Sequence, residues 1–311
     1  MTPTQPRLIE CVPNFSEGRD KAIIAEIEQV IQDVDGVHVL DVSSDADHNR
    51  TVVTFMGTPD AVFEAAFAGV RAAARLIDLD AHSGVHPRIG AADVVPLIPL
   101  RNASMSLCVE MAQTLGQRIA TALDLPVYLY ENAALREDRR NLADVRRHPY
   151  EKLKSSIQSD PARQPDYGPS QLGKAGAVAI GAREPLIAFN AYLDTNDVAV
   201  AQAIARTVRE SGGGLPHLKA LGLLVDGQAQ VSMNVIDYRR TGLHTILERV
   251  RAEAARRGCS VTHTELVGLV PQAALLDAAL AYLGLPSTVR DLTLERRIGA
   301  ATGDFQEVTF E

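Results

Sequence analysis

The chain has 311 residues, enough for about two domains at roughly 150 residues each. A hydrophobic share of 46% and a charged share of 23% exclude a wholly disordered chain, and a net charge of −8 argues against a nucleic-acid-coating role, which needs a basic face. Three widely spaced cysteines, Cys11, Cys108 and Cys259, favour a reducing cytoplasm over a disulfide framework. The polar start, Met1 to Arg7, lacks the apolar stretch of a secretory signal, and no run of about 18 apolar residues predicts a membrane span.

In chain order, Leu8 to Val12 reads as a strand and Asp20 opens a helix with Ile23, Ile24, Ile27, Val30, Ile31 and Val34 at helical spacing. Strands follow at Val37–Val42 and Thr51–Met56. Thr58-Pro59 starts a second helix. Asp93–Leu100 is a strand whose Pro96 and Pro99 place it at a sheet edge. A helix from Met105 to Leu123 and a strand at Val127–Tyr130 extend this half. The polar, proline-containing stretch 136–172 reads as a linker with some helix.

The order then repeats. Strand Leu186–Leu193 precedes a helix from Asp197. Strands Leu218–Val225 and Gln228–Ile236 flank the hairpin signal Asp226-Gly227. Thr241 caps another helix, and strand Val261–Leu266 and helix Pro271–Leu283 follow. Each half spells β-α-β-β-α-β, so the fold class is α+β, two tandem ferredoxin-like units, divided as 1–172 and 173–311. Strand 228–236 alternates, with Gln230, Ser232 and Asn234 on its polar side. That side lines a ligand groove between the units or faces solvent.

The densest chemistry lies in Asp78 to Gly90, which holds His82, His86 and Arg88. A catalytic His, a metal pair and a braced tight loop all remain open there. Asp41 to Arg50 adds Asp41, Asp45, Asp47, His48, Asn49 and Arg50 in a loop between strands. Its spacing matches no calcium loop.

Several segments together resemble the glutamate formimidoyltransferase family. They are Cys11-Val12-Pro13-Asn14-Phe15-Ser16-Glu17-Gly18, Asn49-Arg50-Thr51, His82-Ser83-Gly84-Val85-His86-Pro87-Arg88-Ile89-Gly90, Pro126 to Tyr130, Leu186 to Asn190 and Glu265 to Pro271. The match runs in order from about residue 8 to residue 285. The resemblance implies formimidoyl transfer from N-formimidoyl-L-glutamate to N5 of tetrahydrofolate, the acceptor substrate, with ligands held between two subdomains. It implies His86 as the catalytic residue and a folate-binding loop beginning Gly168-Pro169-Ser170-Gln171 and running to about Ala177. In animals a cyclodeaminase domain follows the transferase; here a separate cyclodeaminase is expected to act on the product. No metal, nucleic acid or membrane is expected as a partner, and a homodimer is allowed.

The residue chemistry suits that reaction. A His of ordinary pKa near 6.5 can take the proton from folate N5 and deliver it to the leaving nitrogen. Asp41, Asp45 and Asp47 are candidates to face the amidinium. Asn49 is a candidate for substrate contact. Arg50 and Arg88 offer forked donors to the glutamate carboxylates. His82 is expected to brace the loop or to support the site beside His86. The rival readings are a metal-dependent amidohydrolase using Asp45, Asp47, His82 and His86, and a non-enzymatic folate- or amino-acid-sensing module.

Overall fold

A computed structural model describes residues 6–84 and 87–302. His86 therefore lies outside the described residues. The chain forms two compact units, the first running to Arg183 and the second beginning at Glu184.

The first unit contains, in order, β1 (Leu8–Cys11), β2 (Asn14–Phe15), α1 (Lys21–Gln32), β3 (Val37–Asp45), β4 (Arg50–Gly57), α2 (Pro59–Leu76), β5 (Ala92–Arg101), α3 (Met105–Leu123), β6 (Val127–Glu131), α4 (Leu142–Val145), α5 (Tyr150–Ser156) and β7 (Val178–Ala182). The helix starts follow their caps. Asp20 accepts from Ala22 N and Ile23 N, and Thr58 accepts from Ala61 N ahead of Pro59. The sheet runs β3, β4, then β1 and β2 as two pieces of one interrupted strand, then β5, β7 and β6. β5, β7 and β6 are mutually parallel, and the other pairings are antiparallel. Ile9, Cys11, Val53 and Phe55 face Ile27, Ile31, Val62 and Ala66 of α1 and α2 in the core.

Three expectations are corrected here. β5 is an interior strand, not an edge. Pro96 O accepts from Val12 N, so the missing Pro96 N–H faces the gap between β1 and β2, where the ladder is already broken. Pro99 lies past Leu97, where the pairing with β7 stops. The stretch 136–172 is not a bare linker, because its Tyr150, Leu153, Ile157 and Leu172 are buried in the first core. The division also falls beyond residue 172, because β7 is hydrogen-bonded into the first sheet.

The second unit holds β8 (Ile187–Leu193), α6 (Val198–Val208), β9 (Leu218–Val225), β10 (Gln228–Val235), α7 (Leu243–Ala255), β11 (Val261–Val267), α8 (Gln272–Leu283) and α9 (Leu294–Thr302). Its sheet order is β11-β8-β10-β9, antiparallel throughout, the ferredoxin-like arrangement. Asp226 and Gly227 both take positive φ, 49° and 77°, as the tight hairpin turn requires. Ala229, Val231, Met233 and Val235 are all buried. The cap of α7 is Gly242 rather than Thr241, whose hydroxyl instead donates to Pro216 O at 2.7 Å. Among the described residues no helix is long and apolar enough to cross a membrane.

Candidate active site

The turn between β3 and β4 ends at Asn49, a buried residue with φ of 50°. Its one amide ties three loops. Oδ1 accepts from Gly18 N at 2.8 Å, and Nδ2 donates to Ser83 O at 3.0 Å. The loops meet at backbone contact. A Cβ on Gly18 would stand 2.2 Å from Asp45 O, and one on Gly84 would stand 2.5 Å from His48 O. The Cys11–Gly18 segment, the Asp41–Arg50 segment and the His82–Gly84 segment are therefore one assembly.

His82 is held at both ring nitrogens. Arg88 Nε donates to its Nδ1 at 2.8 Å, which puts the remaining proton on Nε2, 3.2 Å from Asn49 O. Burial, with the nearby Arg88 charge, holds the His82 pKa below its ordinary 6.5 against the opposing pull of the Asn49 carbonyl. With both nitrogens engaged, His82 is a neutral brace and has no lone pair to offer a metal. Arg88 is itself buried, and its Nη2 donates to His82 O at 3.1 Å and to Glu151 Oε1 at 2.7 Å. Its donors are engaged within the protein at His82 and Glu151.

Ser16, His48, Asn49, Arg50, Arg88 and Asp93 line a narrow, closed crevice beside this assembly. Asp93 is 1% exposed; Oδ1 accepts from Ile89 N at 2.8 Å and Oδ2 pairs with Arg146. Burial and the like charge of Arg146 push the Arg50 pKa down, while Asp93 and Asp45 oppose them. Arg146 Nε is buried without a hydrogen-bond partner among the described residues. Asp93 is thus paired with the Arg146 guanidinium, with the charge of Arg50 also close by. Among the acidic candidates, Asp45 closes its own turn, accepting from Asp47 N, His48 N and His48 Nδ1. Burial raises its pKa, but these bonds outweigh burial and hold the carboxyl low. Asp47 is exposed. Asp41 pairs with Thr54 across a bulge and shares a sheet face with Arg50.

The segment starting at Gly168 ends against the same assembly. Leu79 N donates to Lys174 O, Ala91 N to Ala175 O and Ala177 N to Ile89 O, at 2.8, 2.8 and 2.9 Å. Gly90 and Gly176 form a bridge so close that a Cβ on Gly90 would lie 1.7 Å from Ala177 O. Tyr150 of α5 clamps both: its N donates to Arg88 O, and its hydroxyl lies 2.8 Å from Asp80 Oδ1 and 3.2 Å from Gly173 O. Gly168 itself, with φ of 85°, packs against Leu125 O, while Gln171 is exposed. Gln230, Ser232 and Asn234 stand on the polar face of β10 in the second unit, with Gln230 buried and Asn234 exposed.

The sequence patterns of two known domains cover these units. The formiminotransferase domain, N-terminal subdomain, matches residues 8–183, and the formiminotransferase domain matches residues 188–301. The chain belongs to the formiminotransferase family. It is 46% identical to a glutamate formimidoyltransferase of Thermoplasma acidophilum, over 94% of this chain and 98% of that one. It is 41% identical to a glutamate formimidoyltransferase of Streptococcus pyogenes serotype M1, over 89% and 93% of the two chains. It also matches a formimidoyltransferase-cyclodeaminase of Rattus norvegicus at 43%, over 89% of this chain and 52% of that longer protein.

For this family member, sequence reasoning missed Asp93, Arg146, Tyr150 and Glu151. Asp93 opens a strand pattern, and the other three lie in the polar stretch read as linker. The one available signal is Tyr150 beside Leu153 and Ile157, a short apolar face in a charged run. Among the described residues no group of three His, Cys, Asp or Glu is placed to hold a metal.

Proposed function

We infer that the chain transfers the formimidoyl group of N-formimidoyl-L-glutamate to N5 of tetrahydrofolate, releasing L-glutamate. The family membership supports this reading. The structural observation that carries it is the Gly90–Gly176 junction. It fastens the end of the expected folate loop to the strand that follows His82, His86 and Arg88.

In this reading folate N5 attacks the amidine carbon and a tetrahedral adduct forms. His86 takes the proton from N5 and delivers it to the glutamate nitrogen, so that the carbon–nitrogen bond to glutamate breaks with an amine leaving. His82 stays neutral and, with Arg88 and Glu151, keeps the loop in place. Arg50, backed by the Arg146 charge, receives a carboxylate of the donor. Asp41, on the same sheet face as Arg50, is a carboxylate to balance the amidinium. Gly168, Pro169, Ser170 and Gln171 form the entry to the folate loop, and Gln230, Ser232 and Asn234 supply polar contacts to the ligands. The reaction needs no metal.

The test is the acceptor dependence of glutamate release. The purified protein should release L-glutamate from N-formimidoyl-L-glutamate only when tetrahydrofolate is present. Release at the same rate without folate would replace the transferase with a hydrolase. N-formyl-L-glutamate in the same assay reports donor preference.

A further inference from the structure

The segment from His82 to Arg88, which holds His86 in its sequence, is closed on itself at its base. Arg88 Nε donates to His82 Nδ1 at 2.8 Å, and Arg88 Nη2 donates to His82 O at 3.1 Å. One guanidinium therefore joins the two ends of the segment. Each end is also fixed from outside. On the near side Asn49 Nδ2 donates to Ser83 O, and His82 Nε2 lies 3.2 Å from Asn49 O. On the far side Tyr150 N donates to Arg88 O, and Ile89 N donates to Asp93 Oδ1, both at 2.8 Å.

The closure depends on a charge that burial makes costly. The Arg88 side chain is only 9% exposed, and among the described residues its paired carboxylate is that of Glu151, which is 63% exposed. Glu151 follows Tyr150 in α5. Its Oε1 lies 2.7 Å from Nη2 and its Oε2 3.5 Å from Nη1. Nη2 thus divides its two hydrogens between Glu151 and His82 O, which fixes the plane of the guanidinium and aims Nε at the His82 ring. Without Glu151 a guanidinium would stay buried and unpaired, and its flexible stem would let it turn toward water. Both bonds to His82 would be lost in that turn. Resting on the reading above, in which His86 carries the proton, we propose that Glu151 is a positioning residue for the transfer, holding Arg88 across the base of the His82–Arg88 segment. Its effect falls on kcat and not on the binding of either substrate.

The test uses Glu151→Ala and Glu151→Gln in the full chain. Glu151 is an exposed helical residue, so both variants should fold, and a denaturation curve checks this. Glu151→Ala should lower kcat about ten- to hundredfold, the scale of a small misplacement at the reacting centre. KM for N-formimidoyl-L-glutamate and for tetrahydrofolate should stay within about twofold of wild type. Glu151→Gln keeps an oxygen facing Nη2 without the charge, so its kcat should fall between the two. A second readout is independent of turnover. In wild type the nitrogen NMR spectrum of labelled histidine should show His82 Nδ1 as a hydrogen-bonded acceptor, with His82→Gln assigning the signal. Glu151→Ala should shift that signal toward a free nitrogen. A wild-type kcat in Glu151→Ala overturns the proposal, and so does a reduced kcat with the His82 signal unmoved. A raised KM for either substrate at unchanged kcat overturns it in favour of a binding role. Wild-type turnover that ignores tetrahydrofolate, or a His86→Ala rate equal to wild type, overturns the functional reading itself, whereas a His86 effect without a Glu151 effect overturns the proposal alone.

Discussion

Asn49 concentrates the organisation of the first unit in a single side chain. Replacing it with Ala leaves Gly18 N and Ser83 O without partners at a buried junction, at a cost of about 1–3 kcal/mol for each group. Asn49→Ala should lower the denaturant midpoint and also kcat, since the loop bearing His82 loses its anchor. Full activity at reduced stability would detach Asn49 from the site. His82 gives a pH prediction. Its pKa is depressed in the folded chain, so its contribution to stability is complete above about 6.5 and is lost as pH falls through the lower folded value. His82→Gln can keep both hydrogen bonds without titrating. The fall in melting temperature on acidification below about pH 6.5 should therefore be shallower in the variant than in wild type. Equal slopes would contradict a half-buried, neutral His82. At this scale the sequence showed which residue types cluster but not how they are spent. Arg50 and Arg88 read alike as forked donors, and the contacts of Arg88 with His82 and Glu151 carry no local signal.

Periodic elements were legible because amphipathic spacing and caps are local properties. The helices at Lys21–Gln32, Pro59–Leu76 and Met105–Leu123 and the Asp226-Gly227 hairpin follow directly from them. β7 was not legible. Val178–Ala182 is buried at every position, so it lacks alternation, and its Gly and Ala content hides a strand. The same loss of signal led 136–172 to be read as linker, because α5 is too short for a period to show. Gly168 carries a consequence for experiment. A β-branched residue there would bring a Cβ within 2.3 Å of Leu125 O, so Gly168→Val should destabilise the first unit rather than report on folate alone. Gln171→Ala, at an exposed position, is the cleaner probe. It should weaken 5-formyltetrahydrofolate binding without moving the melting temperature, and an unchanged dissociation constant would take Gln171 out of the folate loop.

At the scale of the whole molecule, the chain folds as two ferredoxin-like units. The first carries the loop braced by His82, Arg88 and Asn49, and the second carries the polar face of β10. The repeat was visible in element order, whereas the division after Arg183 was not, because β7 joins a sheet already complete in the pattern. Both His82 nitrogens are engaged within the protein, so turnover should survive exhaustive chelation. A loss of activity restored by zinc or manganese would revive the amidohydrolase. The central claim is that a formimidoyl carbon moves from glutamate nitrogen to folate N5 with His86 carrying the proton. The most direct test follows an isotopically labelled formimidoyl carbon by NMR in wild type and His86→Ala. The label should appear on N5 of tetrahydrofolate with one L-glutamate released per transfer, and His86→Ala should slow this by about 10²–10⁴-fold with folate affinity intact. Label lost to water as a hydrolysis product, or a His86→Ala rate equal to wild type, would contradict it.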